Sequence, residues 1–155
     1  DLSQLLTPLS EREGHRGFPS AGEAYPLEVY LVLQRVQGVF PGTYHYFPKE
    51  HQLSQLASGV DQAAWREALL GLPVERAAAL LVLTLVPERS EALFGIRGYR
   101  YALLEAGYAG GLVLLLASGL GLAAYPAATF YDGEVARLLA LPEGEHPGLV
   151  ILLGR

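Results

Sequence analysis

The feature that most constrains the fold is a long stretch without charge. No charged side chain occurs between Ala106 and Tyr131, and residues 111–124 are nearly continuous Leu, Ala and Gly. Such a stretch is long enough to cross a membrane. However, glycines interrupt it, Pro126 lies near its end, and no Lys or Arg anchors that end. We therefore predict a helix that is either buried on all sides in a soluble core or packed against its copy in a dimer.

Composition narrows the class of protein further. The chain has 155 residues, 51% of them hydrophobic, and no cysteine. These values predict one compact domain over residues 1–155, and they exclude a disordered chain or a disulfide scaffold. The formal net charge of -5 argues against nucleic acid as a partner.

The beginning of the chain also carries a prediction. The sequence contains no Met and starts at Asp1, so we expect the N-terminus to be incomplete. The first thirty residues show no secretory signal pattern. We expect a cytoplasmic protein that does not reside in a membrane.

Local patterns predict a mixture of strands and helices. Alternation predicts a strand over residues 27–35, and the turn Pro41-Gly42 links it in a hairpin to a second strand over residues 43–47. Asp61 is the predicted N-cap of a helix through about residue 70, and the apolar run 78–86 predicts a strand buried on both faces.

The second half of the chain is predicted mostly helical. A helical region begins at Ser90, breaks around residues 95–98 and resumes at Tyr99. A short strand, a helix capped by Asp132 and a strand over residues 148–153 follow. Hairpin and helices are mixed without regular βαβ alternation, which favours the α+β class.

The sequence assigns no catalytic residue. Its four histidines have no metal-ligand spacing, so no metal site is predicted and surface or hydrogen-bonding roles are favoured. Hydrolase, dinucleotide-binding and P-loop motifs do not occur.

The stretch Pro19-Ser20-Ala21-Gly22 is more informative, because small residues before a strand let a flat ligand lie against the backbone. A simple turn before the strand is the alternative interpretation.

Several short motifs together resemble one enzyme family. They are Pro19-Ser20-Ala21-Gly22, Tyr25-Pro26-Leu27-Glu28-Val29-Tyr30, Pro41-Gly42-Thr43-Tyr44-His45-Tyr46, Arg97-Gly98-Tyr99-Arg100-Tyr101, Leu104-Glu105-Ala106-Gly107 and Gly119-Leu120-Gly121. Their order and approximate spacing resemble the SagB-type dehydrogenases, a branch of the FMN-dependent nitroreductase superfamily, over residues 2–154. The resemblance implies a nitroreductase-like α+β fold with a central, mainly antiparallel sheet flanked by helices. It also implies an intertwined homodimer with one FMN in each of two pockets at the subunit interface.

The same resemblance assigns roles to particular residues. The flavin-lining residues would be Pro19, Ser20, Ala21 and Gly22, with Arg16 at the pyrimidine edge or the phosphate. The backbone N–H groups facing the flavin N5 and O4 edge would come from Pro126-Ala127-Ala128-Thr129-Phe130. The open side of the substrate pocket would be shaped by Tyr99, Arg100, Tyr101 and Glu105. Alternatively, Arg100 and Glu105 form a solvated helical pair and the tyrosines belong to the core.

One departure from the family bears on the reaction. Azoline-oxidising members carry a Lys-Tyr pair that is held to remove the substrate proton, and Leu93-Phe94 stands in that place here. Leucine cannot take a proton. We therefore expect an FMN-dependent oxidoreductase that moves a hydride between flavin N5 and a small organic substrate, with NAD(P)H as a candidate electron donor.

Two alternatives remain open. One is an azoline dehydrogenase that acts on a modified peptide. The other is a non-catalytic dimer that has lost its flavin, because the family's basic N-terminal segment is absent from this sequence.

Overall fold

A computed structural model describes residues 1–154. Short 3-10 turns occur at Thr7–Leu9, Ala21–Glu23 and Val74–Arg76. The helices and strands, in chain order, are α1 (Leu2–Leu6), β1 (Leu27–Leu33), β2 (Gly42–Phe47), β3 (Gln52–Ser58), α2 (Gln62–Ala68), β4 (Ala79–Leu85), α3 (Pro87–Phe94), α4 (Arg97–Gly119), β5 (Ala123–Ala127), α5 (Asp132–Leu139) and β6 (His146–Gly154).

The strands form one sheet in the order β3-β2-β1-β4-β6-β5. Each pair of neighbouring strands is antiparallel. The predicted α+β class with an antiparallel sheet flanked by helices is confirmed.

Alternation along the central strands divides the core into two layers. In β1, Val29 and Leu31 pack in the layer that includes α1 and α4, whereas Tyr30 and Val32 pack in the layer that includes α2 and α5. Every residue of β4 is buried. This confirms the strand predicted to be buried on both faces, because helices cover both sides of the sheet.

The hairpin is confirmed, but the sequence prediction missed the strand that follows it. β2 pairs with β1, and β3 pairs with β2 at the edge of the sheet. The residues of β3 are exposed apart from Leu53, which is partly buried. Because polar side chains stand on both of its faces, β3 has no hydrophobic alternation. It is held by backbone pairing, which sequence periodicity does not report.

The two predicted helix caps have different outcomes. The Asp61 carboxylate accepts a hydrogen bond from the Ala64 N–H at 3.0 Å, so the cap of α2 is confirmed. The prediction for Asp132 is wrong, because Tyr131 occupies the N-cap position and Asp132 is the first helical residue. A carboxylate there still interacts favourably with the helix dipole.

The helical region after β4 is interrupted at the place where the sequence predicted a break. α3 starts at Pro87, earlier than the predicted Ser90, since proline is well suited to the first helical position. The chain turns at Gly95, which has a φ of 57°, and α4 begins at Arg97. A Cβ at Gly98 would lie 2.3 Å from the Glu91 backbone nitrogen. Only glycine therefore lets the two helices approach this closely.

One face of α4 is buried and the opposite face is not. Alanines on the buried face, among them Ala102 and Ala109, bring the helix close to the sheet. The exposed face carries a row of residues at helical spacing, here named the α4 outer stripe: Leu104, Gly107, Tyr108, Gly111 and Leu115. The prediction of a helix buried on all sides is thus wrong. Its alternative, packing against a second copy, remains a prediction.

The length and composition of α4 would also allow it to cross a membrane. Residues 97–119 have a mean hydropathy of 1.5 over the most apolar window, and 39% of that window is buried inside the fold. A single helix of this kind is weak evidence for a membrane span, since a core helix can have the same length and hydropathy.

Candidate functional site

The side chain of Glu105 lies beneath the loop that carries Ser20. Glu105 projects from α4 and is only 2% exposed. The Ser20 oxygen accepts a hydrogen bond from the Tyr25 N–H at 2.9 Å. The Ser20 hydroxyl hydrogen is therefore free to point at the Glu105 carboxyl, and these two groups do interact. Residues far apart in the sequence thus meet below the Pro19–Gly22 loop.

Arg16 completes this polar cluster. Its guanidinium donates to the Leu27 carbonyl at 3.2 Å and lies 4.8 Å from the centre of the Tyr25 ring. The Arg16 backbone N–H donates to the Tyr25 hydroxyl. Arg16, Ser20, Tyr25 and Glu105 are here named the polar cluster. It ties the loop to β1 and to α4.

The charges in the polar cluster are only partly compensated. Burial raises the pKa of the Glu105 carboxyl, while the Ser20 hydroxyl and the Arg16 guanidinium act in the opposite direction. Burial likewise lowers the pKa of Arg16, although the carboxylates of Glu28 and Glu105 oppose this. Among residues 1–154, Glu105 Oε1 and Arg16 Nε are buried without a hydrogen-bond partner. Each such atom carries a desolvation cost.

Replacing Glu105 by glutamine therefore has an expected pH signature. Because burial raises the pKa of Glu105 above its ordinary 4.5, the stability linked to this group is full below pH 4.5 and falls as the pH rises through the raised pKa. Glutamine resembles the neutral acid and does not titrate. We expect Tm of the wild type to fall relative to Glu105→Gln by about 2–4 °C between pH 5 and pH 8, or about 1 kcal/mol.

Thermal unfolding of both proteins across this pH range provides the measurement. Glu67→Gln is the matched control, since Glu67 is an exposed glutamate in α2. The Glu67→Gln variant should follow the wild type at each pH. A Tm difference between wild type and Glu105→Gln that does not change with pH would contradict the assigned burial cost.

The residues that stand in place of the family's Lys-Tyr pair lie against the predicted flavin loop. A Cβ at Gly22 would be 2.9 Å from the Phe94 ring and 3.1 Å from the Leu93 side chain. Phe94 in turn meets Tyr101 edge to face, with ring centres 5.1 Å apart. The position next to the loop therefore presents apolar groups and no base.

The predicted substrate-pocket residues do not form one group. Tyr99 and Arg100 are exposed on the first turns of α4, Tyr101 is half-buried, and Glu105 is buried. The alternative that Arg100 and Glu105 form a solvated pair is wrong, because Glu105 faces the interior. Its helical phase places it one turn past Tyr101 and toward the Ser20 loop.

The second predicted flavin segment lies elsewhere in the fold. Pro126 and Ala127 end the edge strand β5, which β4 and β6 separate from β1. Three strand spacings amount to about 14 Å. Ala128 and Thr129 are exposed, and within residues 1–154 no acceptor meets the backbone N–H groups of Thr129 and Phe130. Within one copy of the chain, the two predicted flavin segments, here named the half-sites, therefore lie apart.

Sequence analysis missed one residue that supports the loop. Arg89 donates to the Tyr25 carbonyl at 2.9 Å and pairs with the Glu28 carboxylate. Glu28 also meets His45 Nε2 at 2.9 Å. Burial raises the pKa of Glu28, but the hydrogen bonds from His45 and Arg89 outweigh it, so the net shift is downward. No local pattern around Arg89 signals this bond, which joins α3 to a loop far away in the sequence.

The histidines take separate hydrogen-bonding positions where they have partners. His45 bonds to Glu28, and His51 bonds to Tyr46 and Ser3. Residues 1–154 contain no group of three or more His, Cys, Asp or Glu side chains that could hold a metal ion.

The family comparison covers nearly all of the chain. The model of the nitroreductase family matches residues 2–155. MJ1384 of Methanocaldococcus jannaschii, which carries the name of a nitroreductase, is 32% identical over 162 residues that cover 100% of this chain and 79% of that protein. The microcin B17-processing protein McbC of Escherichia coli is 31% identical over 143 residues, covering 88% of this chain and 52% of McbC.

Solved structures show the same fold. A nitroreductase-like protein from Anabaena variabilis superimposes with a TM-score of 0.89 at 27% identity, covering 98% of this chain and 34% of that one. The Escherichia coli microcin synthetase McbBCD complex gives a TM-score of 0.85 at 28% identity, covering 99% of this chain and 62% of the matched chain. The chain thus spans about half of McbC and a third of the Anabaena protein.

Proposed function

Because this chain belongs to the nitroreductase family, we propose that it is an FMN-dependent oxidoreductase of the SagB-type branch. In this proposal residues 1–155 form one domain, which works in the cytoplasm as a homodimer. When bound, FMN supplies the hydride chemistry at its N5 atom, and NAD(P)H is the proposed electron donor. The substrate is a small organic molecule.

The observation that carries the proposal is the division of the site into two half-sites. The Pro19–Gly22 loop precedes β1 and the Pro126–Thr129 segment lies at the end of β5, and these two strands are about 14 Å apart in the sheet. The α4 outer stripe is an apolar surface with no partner among residues 1–154. In the proposed dimer, a second copy packs on this stripe and the loop of one copy meets the segment of the other.

The residues at both half-sites fit a flavin. Ala21 has a short, half-buried side chain and Gly22 has none, so a flat ring can lie against the exposed backbone of this loop. The N–H groups of Thr129 and Phe130, which have no acceptor among residues 1–154, are donors of the kind that the N5 and O4 edge accepts. Arg16 would hold the pyrimidine edge or the phosphate, while Glu105 keeps the Ser20 loop in place from below.

The side chains beside Gly22 favour reduction over proton abstraction. Leu93 and Phe94 contact this loop, and neither can act as a base. They would exclude water and shape an apolar wall for the substrate.

A second candidate function is azoline oxidation on a modified peptide. The likeness to McbC supports it, because McbC is a microcin-processing protein. A loss of 2 Da from an azoline peptide, measured by mass spectrometry, would favour this function. Oxidation of NAD(P)H with a quinone or nitroaromatic acceptor would favour the first.

Titration of the full chain with FMN tests the proposal directly. We expect a yellow complex, and at an FMN concentration of about 100 Kd a gain of about 2.7 kcal/mol, or a rise of about 5–10 °C in Tm. Ala21→Trp should weaken FMN binding by at least 10-fold, because the indole would cover the loop backbone against which the ring is proposed to lie. Ala63→Trp, at an exposed position in α2, is the control and should bind as the wild type does. A colourless protein with no rise in Tm would favour the non-catalytic dimer that has lost its flavin.

A further inference from the structure

A cavity distinct from both half-sites opens at the other end of the sheet. It has a volume of about 840 Å³ and lies between α1, the β1–β2 loop and the start of β4. This volume is within the range of small-molecule sites. The Ser20 loop lies near Leu27, where β1 begins, whereas the cavity extends beyond Leu33, where β1 ends.

Two arginines line this cavity without a carboxylate partner. Arg35 donates to the carbonyls of Glu75 and Arg76 at 2.8 and 2.9 Å, which fixes its guanidinium in place. Among residues 1–154, no carboxylate lies within salt-bridge distance of Arg35 or Arg76. Among the described residues that line the cavity, Asp1 is the only acidic one. The lining is therefore net positive, in a chain whose net charge is -5.

The wall between the ends of the cavity is apolar. Its residues are Leu2, Leu5, Leu6, Val36, Val39, Leu53, Ala78, Ala79, Leu122 and Leu153. A ligand here would bury apolar surface against several elements at once.

At the end opposite the arginines, the hydrogen-bonding groups of Ser3, Tyr46 and His51 are paired with one another. His51 Nδ1 lies 2.7 Å from the Tyr46 hydroxyl, and His51 Nε2 lies 2.8 Å from the Ser3 hydroxyl. Tyr46 stands opposite Val29 in the sheet, four residues before the end of β1 at Leu33. Four strand residues span about 13 Å, so the cavity is elongated.

We propose that this cavity is a second binding site, for an elongated apolar carboxylate of the medium-chain fatty acid class, whose carboxylate contacts Arg76 and Arg35 and whose chain lies along the leucine wall. Arginine binds carboxylates through charge-assisted hydrogen bonds, and the exposed side chains of Arg35 and Arg76 are accessible to such a group. The site does not depend on the proposed flavin chemistry.

Calorimetric titration of the full chain with decanoate and with 1-decanol, below their micellar or solubility limits, tests the charge requirement. We expect decanoate to bind at least 10-fold more tightly than 1-decanol, a difference of about 1.4 kcal/mol. Arg76→Gln should weaken decanoate binding about 10-fold, whereas Arg12→Gln, which removes an exposed arginine elsewhere, should leave it unchanged. Equal binding of the two ligands, or no effect of Arg76→Gln, would overturn the proposal.

A second variant tests the location. Val39→Trp places a large side chain over the cavity from the β1–β2 loop, where Val39 is half-buried. We expect decanoate binding to be lost while far-UV circular dichroism and FMN binding stay as in the wild type. Undiminished decanoate binding would place the ligand elsewhere and refute the site. Displacement of decanoate by FMN would show that the cavity belongs to the flavin site and would likewise overturn the proposal.

Discussion

Replacing Leu115 by glutamate is expected to leave the protein monomeric and unable to hold FMN. Leu115 is 69% exposed in one copy and lies in the α4 outer stripe. Glycines at positions 107 and 111 of the stripe would let two helix backbones approach closely. A carboxylate pressed into such an interface without a partner costs several kcal/mol. The dimer dissociation constant should therefore rise by at least 100-fold.

Sedimentation equilibrium gives the oligomeric state, and flavin absorbance of the same samples gives FMN content. Leu56→Glu is the matched control, because Leu56 is 52% exposed but lies on the edge strand β3. This variant should remain dimeric and retain FMN. A Leu115→Glu monomer that still binds FMN as the wild type does would show that the flavin site is complete in one copy. A monomeric wild type would remove the basis of the interface site altogether.

Gly98→Ala is expected to destabilise the protein by about 3 kcal/mol. The added methyl group would lie 2.3 Å from the Glu91 nitrogen and 2.4 Å from the Ser90 carbonyl carbon. Both atoms belong to the backbone of α3, so no side-chain rotation relieves the clash. The two helices must separate, and such overpacking costs about 1–3 kcal/mol or more. Since α3 also carries Arg89 and Phe94, the Ser20 loop should loosen as well.

Urea unfolding of Gly98→Ala measures the free energy of unfolding. Gly133→Ala serves as the control, because Gly133 is also helical and nothing lies within 4 Å of an added Cβ. Alanine there should be neutral or stabilise by about 0.5–1 kcal/mol through its higher helix propensity. Equal free energies for the two variants would mean that α3 and α4 do not approach as closely as the structure indicates.

Hydrophobic patterns, together with the prolines and glycines that end helices and strands, were sufficient to predict the central elements of the fold. β4 is a continuous apolar run that Pro87 follows closely, so its burial on both faces could be predicted, and the pattern of residues 27–35 was sufficient to predict the strand β1. The break before α4 could also be predicted, since glycines flank it. β3 could not, because its side chains bury almost nothing and its stability comes from pairing with β2.

The candidate site, too, could be predicted from the sequence only in part. The small residues of the Ser20 loop are legible in the sequence, and family resemblance gave them a role that stays a prediction. The burial of Glu105 beneath this loop was not predicted. On a helix that is apolar along most of its length, the direction in which one carboxylate points depends on what packs against it.

The linear order of residues was thus enough to establish the class of fold and the small-residue loop, because both rest on local patterns of size and polarity. The family followed from the resemblance of several motifs, and the family comparison confirms it. Packing alone established which groups meet: Glu105 with Ser20, Gly98 with the α3 backbone, and His51 with Ser3. The tertiary structure also shows that the α4 outer stripe has no partner among residues 1–154 and that the two half-sites lie apart. These relations depend on contacts between residues distant in the chain, whose formation is governed by burial and backbone approach in three dimensions.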